Sequence, residues 1–268
     1  MDNFSYWKKQ GKNALFADVD TFAPEQKRFA GKLLVIGGHA GAFFAAAQAM
    51  QTALNLGVGE VRVLLPDALR GKVPRAAEIY FAESGASGAF GKVSLVEMLN
   101  QAAWADVVLL IGDLGKNAET SIVLADFMKH CEKPVFITRD AVDAVTPDAM
   151  NWGMRDERTA LFLTMAQLQK FLRTLYYPKV VTLSMPMNQL VETLHKFTLS
   201  YPLTLVTMHN EQVVIARDGN VISENLSDVG LTPITLWGGD IVTRAAVLSF
   251  WNQNKGLEQV FAASLNMR

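Results

Sequence analysis

Two glycines and an aspartate, Gly238-Gly239-Asp240, stand directly before residues 241–252, whose apolar spacing is typical of a helix. Glycines let several backbone N–H groups point at one ligand, and the first turn of a helix adds unpaired N–H groups and a partial positive charge. Asp240 then acts as an acid or base beside a bound phosphate, or alternatively caps the helix. The turn predicts an anion site of phosphate size.

Two earlier glycine-rich turns follow predicted strands, which is where ligands bind in open α/β sheets. They read GGHAG at 37–41 and GDLGK at 112–116. Neither is a dinucleotide fingerprint or a Gly-Lys-Ser/Thr phosphate loop. The first is equally explained as a tight turn that needs glycine, and the second as a surface loop. The candidate ligand-binding residues of these turns are Gly37, Gly38, His39, Gly112, Asp113 and Gly115.

Other residue types capable of chemistry form no recognisable pattern. The four histidines are scattered and lack metal-ligand spacing, so we expect no metal site in the protein itself. No Gly-x-Ser-x-Gly elbow is present. The single cysteine, Cys131, excludes an intramolecular disulfide and favours a reducing compartment.

Apolar runs alternate with helical patterns along most of the chain, which predicts an α/β fold with a mostly parallel sheet and helices on both faces. The RDGN turn at 217–220 predicts a hairpin, so the sheet should end in antiparallel strands. Residues 1–31 lack periodicity and form an N-terminal arm in this interpretation, and residues 32–268 form one domain. The predicted strands are 32–38, 60–66, 79–82, 106–112, 134–138, 159–164, 180–183, 203–208, 212–216 and 221–223. The predicted helices are 42–56, 93–105, 118–131, 166–175, 187–199, 241–252 and 257–265.

The composition bounds the class of protein. The chain has 268 residues, half of them apolar, which is ample for a packed core. Its net charge of −1 gives no sign of a nucleic-acid partner. The first ten residues are polar and no run approaches the roughly 18 apolar residues of a membrane span. We therefore expect a cytoplasmic protein with no membrane partner.

Three stretches, in this order, resemble the ATP- or ADP-dependent NAD(P)H-hydrate dehydratases of the ribokinase-like superfamily. Residues 30–66 are similar to that family's opening strand, glycine turn, helix and second strand. Residues 105–115, ADVVLLIGDLG, resemble its segment ending Gly-Pro-Gly-Leu-Gly. Gly238-Gly239-Asp240 resembles its late Gly-Ser/Thr-Gly-Asp, which begins the anion-hole helix. The resemblance implies a ribokinase-like three-layer sandwich.

The resemblance also implies an activity. Members of the family repair hydrated NADH or NADPH: a nucleotide phosphorylates the added hydroxyl, and loss of phosphate restores the nicotinamide. Carried over, ATP or ADP, with or without Mg²⁺, has its phosphates at Gly238 and Gly239, and Asp240 is the acid or base. The dinucleotide lies near Gly38, His39 and Gly112. A homo-oligomer is expected as well.

Several positions depart from the family pattern. Its Pro-His-x-Gly-Glu segment is replaced by residues 163–167, LTMAQ, and its Asp-Ala-Asp-Ala-Leu is reduced to residues 139–143, RDAVD. Its Asn-x-Thr-Gly reads NLSD at 225–228, and Trp237 stands where a small residue is usual. Losses of this kind predict a homologue that has given up the ancestral reaction or changed its substrate.

Three hypotheses therefore remain open at the level of the sequence. The first is an active nucleotide-dependent dehydratase, supported by Asp240 and the glycine turns. The second is a non-catalytic relative that binds a nucleotide or serves as an assembly partner. The third is a small-molecule kinase of the same superfamily, against which the absence of an Asn-x-x-Glu magnesium motif counts.

Overall fold

The computed structural model describes residues 5–11, 14–155 and 158–267, and within them a single ten-stranded sheet forms the centre of the protein. The strand order across the sheet is β1-β10-β9-β8-β7-β6-β5-β2-β3-β4. The strands are β1 (Trp7–Gln10), β2 (Lys32–Gly37), β3 (Glu60–Pro66), β4 (Ile79–Ala82), β5 (Val107–Gly112), β6 (Val135–Ile137), β7 (Thr159–Leu163), β8 (Leu203–His209), β9 (Gln212–Arg217) and β10 (Asn220–Asn225).

Only β9 runs against its neighbours among the described strands; the other neighbouring pairs are parallel. The reversal follows from the predicted hairpin, where Asp218 and Gly219 both have positive φ, at 48° and 75°. Two such residues in sequence match the twist of the flanking antiparallel strands. The prediction of a mostly parallel sheet with antiparallel strands near the C-terminus is confirmed.

Helices cover both faces of the sheet. They are α1 (Phe44–Leu56), α2 (Ser94–Trp104), α3 (Ala118–His130), α4 (Asp140–Val145), α5 (Ala149–Trp152), α6 (Met165–Thr174), α7 (Met187–Ser200), α8 (Leu226–Val229), α9 (Pro233–Trp237), α10 (Asp240–Trp251) and α11 (Leu257–Leu265).

Two hydrophobic clusters, one on each face of the sheet, form the core. Alternate residues of β2 enter opposite clusters, because side chains alternate along a strand: Leu34 and Ile36 join the first, Leu33 and Val35 the second. Buried residues of α2, α3, α4, α6 and α7 complete the first cluster, and those of α1, α10 and α11 complete the second. This is the three-layer sandwich expected from the sequence.

Two predictions about local structure are wrong. Residues 180–183 form no strand, and Val180 and Leu183 are 71% and 77% exposed. The apolar run has no place in the sheet because β7 pairs directly with β8. Conversely, the aperiodic N-terminal segment contributes β1, which pairs with β10 at the edge of the sheet.

Among the described residues, no helix combines the length and the apolar character needed to cross a bilayer.

Gly31, immediately before β2, has a φ of +81°, and a Cβ there would overlap the ring of Phe250 in α10. Gly31→Ala should therefore lower the free energy of unfolding by roughly 2–4 kcal/mol, from backbone strain and overpacking. Urea denaturation measures the change. Gly71→Ala is the matched control, since a Cβ at Gly71 has nothing within 4 Å. Equal effects of the two variants would contradict the assignment.

Burial raises the pKa of the Glu258 carboxyl in the first turn of α11 above its usual 4.5, against smaller opposing effects of its own backbone N–H and of Arg217. An acid with a raised folded-state pKa contributes stability at low pH that is lost as the pH rises through that pKa. The stability of the wild type relative to Glu258→Gln should therefore fall between pH 4 and pH 8.

Denaturant titrations of both proteins across this range measure the difference. Glu192→Gln is a control that should show little change above about pH 4.5, because a hydrogen bond from Lys196 lowers the pKa of exposed Glu192 and confines its titration to more acidic conditions. A wild type that gains stability over Glu258→Gln as the pH rises would contradict the prediction.

Candidate functional site

The predicted anion turn lies where two helices meet. Helix α9 ends at Trp237, Gly238 follows in ordinary right-handed conformation, and Gly239 occupies the N-cap position of α10. Gly239 has a φ of 106°, and a Cβ there would come 3.0 Å from Ile111 Cδ1, so this position requires glycine. Within the part of the chain that the structure describes, no side chain caps the start of α10. The first amides of the helix therefore keep their capacity to bind an anion.

Asp240 is the first residue of α10 and not its cap, so the capping alternative for this residue is wrong. Its Oδ1 accepts a hydrogen bond of 2.8 Å from Thr52 Oγ1 of α1. Its Oδ2 is 2.8 Å from Nε of Arg244, one turn later in α10. The side chain is 28% exposed. The carboxylate is thus fixed in orientation, and each oxygen retains a further lone pair for a proton or a ligand.

The two residues that fix Asp240 were not singled out from the sequence. Arg244 was detectable, because an aspartate four residues before an arginine on a helix predicts an ion pair. Thr52 lies far away in sequence, and only the packing of α1 against α10 brings it here.

Trp237 is half-buried and packs against the hydrophobic cluster beneath α1 and α10. It therefore has the packing role that is usual for a tryptophan at a helix end.

The two earlier glycine turns meet at the carboxyl ends of β2 and β5. Gly37 and Gly112 are partners in the sheet, and the Gly38 N–H donates to the Gly112 carbonyl over 2.9 Å. A Cβ at Gly37 would lie 2.6 Å from both that carbonyl oxygen and Ile111 Cγ2. Gly38 and Gly112 have φ values of 92° and 98°. Glycine is needed here for the close approach of the two chain segments.

His39 closes the first turn. Its ring Nδ1 is 2.7 Å from the Asp113 carbonyl oxygen, so Nδ1 carries the donated proton and Nε2 is left as an acceptor. The ring lies between Gly41 and Gly115, where added Cβ atoms would come within 3.1 Å and 3.4 Å of it. In its neutral form, a histidine held in this way can accept a hydrogen bond at Nε2.

Asp113 links three segments of the chain. Its Oδ2 accepts a 2.8 Å hydrogen bond from the N–H of Ala45, the second residue of α1. Its Oδ1 lies 2.6 Å from Nη2 of Arg139, which stands between β6 and α4. The Asp113 side chain is only 11% exposed. The carboxylate is therefore already occupied in the folded chain.

In the sequence, Arg139 is notable only as a departure from the family's Asp-Ala-Asp-Ala-Leu. Its backbone has φ 58° and ψ −138°, a conformation that non-glycine residues rarely adopt. Gln167 Nε2 donates to the Arg139 carbonyl over 2.9 Å and holds that backbone in place. No sequence signal marks this arginine, because its role depends on the neighbouring strand end.

Ile111 and α1 bring the predicted site residues into one region. Ile111 of β5 lies against both Gly37 and Gly239. Helix α1 contacts Asp113 through Ala45 and Asp240 through Thr52. These contacts are seven residues apart on α1, or roughly 10 Å along its axis at about 1.5 Å per residue. The three turns therefore border one stretch of the carboxyl edge of the sheet.

Among the described residues, no three histidine, cysteine, aspartate or glutamate side chains come together in a way that could hold a metal ion.

Three solved structures have folds similar to that of this chain. A ribokinase-like superfamily protein from Enterococcus faecalis V583 matches with a TM-score of 0.72 and 17% identity, covering 98% of this chain and 87% of that one. A hypothetical protein from Streptococcus mutans matches with a TM-score of 0.61 and 17% identity, over 91% and 83% of the two chains. An ADP/ATP-dependent NAD(P)H-hydrate dehydratase from Bacillus subtilis, co-crystallised with ATP/Mg²⁺, has a TM-score of 0.50 and 15% identity, over 92% and 91%.

No family model matches the sequence, and no curated protein does. At identities of 15–17% these structures establish architecture and not activity. Together with the sheet order and the covered faces, they show that this chain has the ribokinase-like fold.

Proposed function

We propose that this protein binds ATP or ADP at the start of α10 and acts as a divergent NAD(P)H-hydrate dehydratase. The observation that carries the proposal is the uncapped N-terminus of α10, reached through Gly238 and Gly239, with the Asp240 carboxylate beside it. The Bacillus subtilis dehydratase, which shares this fold, was co-crystallised with ATP/Mg²⁺.

The start of α10 fits a nucleotide phosphate. Backbone amides and the positive end of the helix dipole favour negative charge at this point. A magnesium ion bound here would depend mainly on phosphate oxygens and water, as this ion commonly does. The Asp240 carboxylate is the side chain of this turn that would hold it.

Asp240 carries the proton transfer in this proposal. Its carboxylate accepts the proton of the substrate hydroxyl while that oxygen bonds to the terminal phosphorus, and the P–O bond to the rest of the nucleotide breaks, so that ATP leaves as ADP, or ADP as AMP. In the next step the C–O bond breaks and inorganic phosphate departs, the adjacent ring carbon loses a proton to the departing phosphate, and the ring regains its double bond. Thr52 and Arg244 keep the carboxylate in place for the first step.

A non-catalytic nucleotide-binding protein is the second candidate, and two observations favour it. Both Asp240 oxygens already have partners. Gln167 lies in the segment that replaces the family's Pro-His-x-Gly-Glu. Its side chain forms a capping box with Thr164 and donates hydrogen bonds to Arg139 and Asp143. Gln167 therefore has a structural role and does not replace a catalytic residue of that segment.

Nucleotide binding is testable by a pair of substitutions at Gly238, whose φ of −66° accepts any side chain. Gly238→Asp places a carboxylate beside the phosphate and should weaken ADP binding about tenfold or more, through like-charge repulsion. Gly238→Ala is the matched control, because its Cβ meets no heavy atom closer than 3.3 Å. Isothermal titration calorimetry measures the affinities. Undetectable ADP and ATP binding by the wild type rejects the site.

Turnover is testable by substituting Asp240. With ATP or ADP and hydrated NADH, the wild type should regenerate NADH, seen by the absorbance of the reduced nicotinamide. Asp240→Asn should lower this rate about 100- to 10,000-fold, as expected for the loss of a general base. Arg244→Gln is the control, since it removes the ion pair and keeps the carboxylate. Nucleotide binding without wild-type turnover, while an active dehydratase works in the same assay, would select the second candidate.

A further inference from the structure

The start of α1 differs from the start of α10 because a carboxylate of the chain itself occupies it. Helix α1 has Phe43 at its N-cap position, and no side chain of that residue caps the helix. The Ala45 N–H, which would otherwise face a cap or a ligand, donates to Asp113 Oδ2 over 2.8 Å. Asp113 comes from another part of the sheet edge, 68 residues away in sequence.

A second, independent contact holds the same carboxylate. Arg139 Nη2 lies 2.6 Å from Asp113 Oδ1. The backbones of both residues are in the positive-φ region, at 59° and 58°. Two non-glycine residues in this region are held there by the surrounding structure, and such residues cluster at functional sites. The Asp113 side chain is 11% exposed and that of Arg139 is 35% exposed, so the ion pair is partly shielded from water.

We propose that Asp113 is a specificity-determining residue: its carboxylate takes the place of a ligand anion at the first glycine turn. The part of the ligand that lies beside Gly38 and Gly112 must then carry no negative charge. Any phosphate or carboxylate group of the ligand lies elsewhere along the carboxyl edge of the sheet.

The polar groups around Asp113 indicate which chemical group of a ligand could bind beside this turn. Arg139 Nε is buried and has no hydrogen-bond partner among the described residues. His39 Nε2 is an acceptor, because Nδ1 donates to the Asp113 carbonyl. Donors and acceptors in this combination suit a neutral polar group such as a carboxamide or a hydroxyl. The account of the ligand rests on the proposed function, in which the dinucleotide lies near this turn.

The experiment uses inorganic phosphate as the probe and calorimetric titration of the full-length protein. Asp113→Gly removes the carboxylate, suits the positive φ, and frees both the Ala45 N–H and Arg139. Phosphate should bind beside the first glycine turn of this variant, in addition to any phosphate that the wild type binds elsewhere. The affinity for phosphate at this turn should be about tenfold or more higher in the variant than in the wild type. Adding Arg139→Gln to Asp113→Gly should remove the gain.

Asp113→Asn is the second variant, because it keeps the shape and loses the charge even if Asp113→Gly folds poorly. It should bind the additional phosphate more weakly than Asp113→Gly and more tightly than the wild type. Unchanged phosphate binding in both folded variants, or weaker binding than in the wild type, would overturn the proposal. The result also distinguishes this proposal from the proposed nucleotide site at α10. If the α10 site does not exist, the wild type binds no phosphate there, and Asp113→Gly still gains its additional phosphate.

Discussion

The close approach of three chain segments around the end of β5 governs the geometry of this edge of the protein. Ile111 lies between Gly37 and Gly239, and the Gly37 backbone faces the Gly112 carbonyl at a distance that leaves no room for a Cβ. A side chain at Gly37 would force β2 away from β5, and one at Gly239 would force the start of α10 away from Ile111. The three glycine turns therefore lie side by side at the carboxyl edge of the sheet.

The carboxylates of Asp113 and Asp240 are held by the same arrangement, an arginine on one side and α1 on the other. Asp113 lies between Arg139 and the Ala45 N–H, and Asp240 lies between Arg244 and a hydroxyl of α1. Helix α1 has no charged residue, so it supplies only a backbone donor and a hydroxyl. The two carboxylates differ in where they point: Asp113 covers the start of α1, and Asp240 leaves the start of α10 open.

Much of the fold was predictable because buried parallel strands have continuous apolar runs and end at glycines. The periodicity of residues 32–56 and the hairpin at 217–220 placed their elements within two residues. The prediction of a strand at the apolar run 180–183 is wrong, because pairing of β7 with β8 excludes this run from the sheet. In the candidate site, the glycines and both aspartates were found from local pattern. Thr52 and Arg139 were not, because their positions depend on packing between distant elements.

The edge strand β1 has a consequence for how the chain acquires its structure. Trp7 pairs with Val221, so the strand that comes earliest in the described residues has its only sheet neighbour there in the strand that comes last. Contacts between such remote residues form late and slowly, since a long loop must close first. During synthesis on the ribosome, the N-terminal segment must remain unpaired until the C-terminal hairpin has emerged. Until then, the hydrogen-bonding edge of the β1 segment is open to other chains.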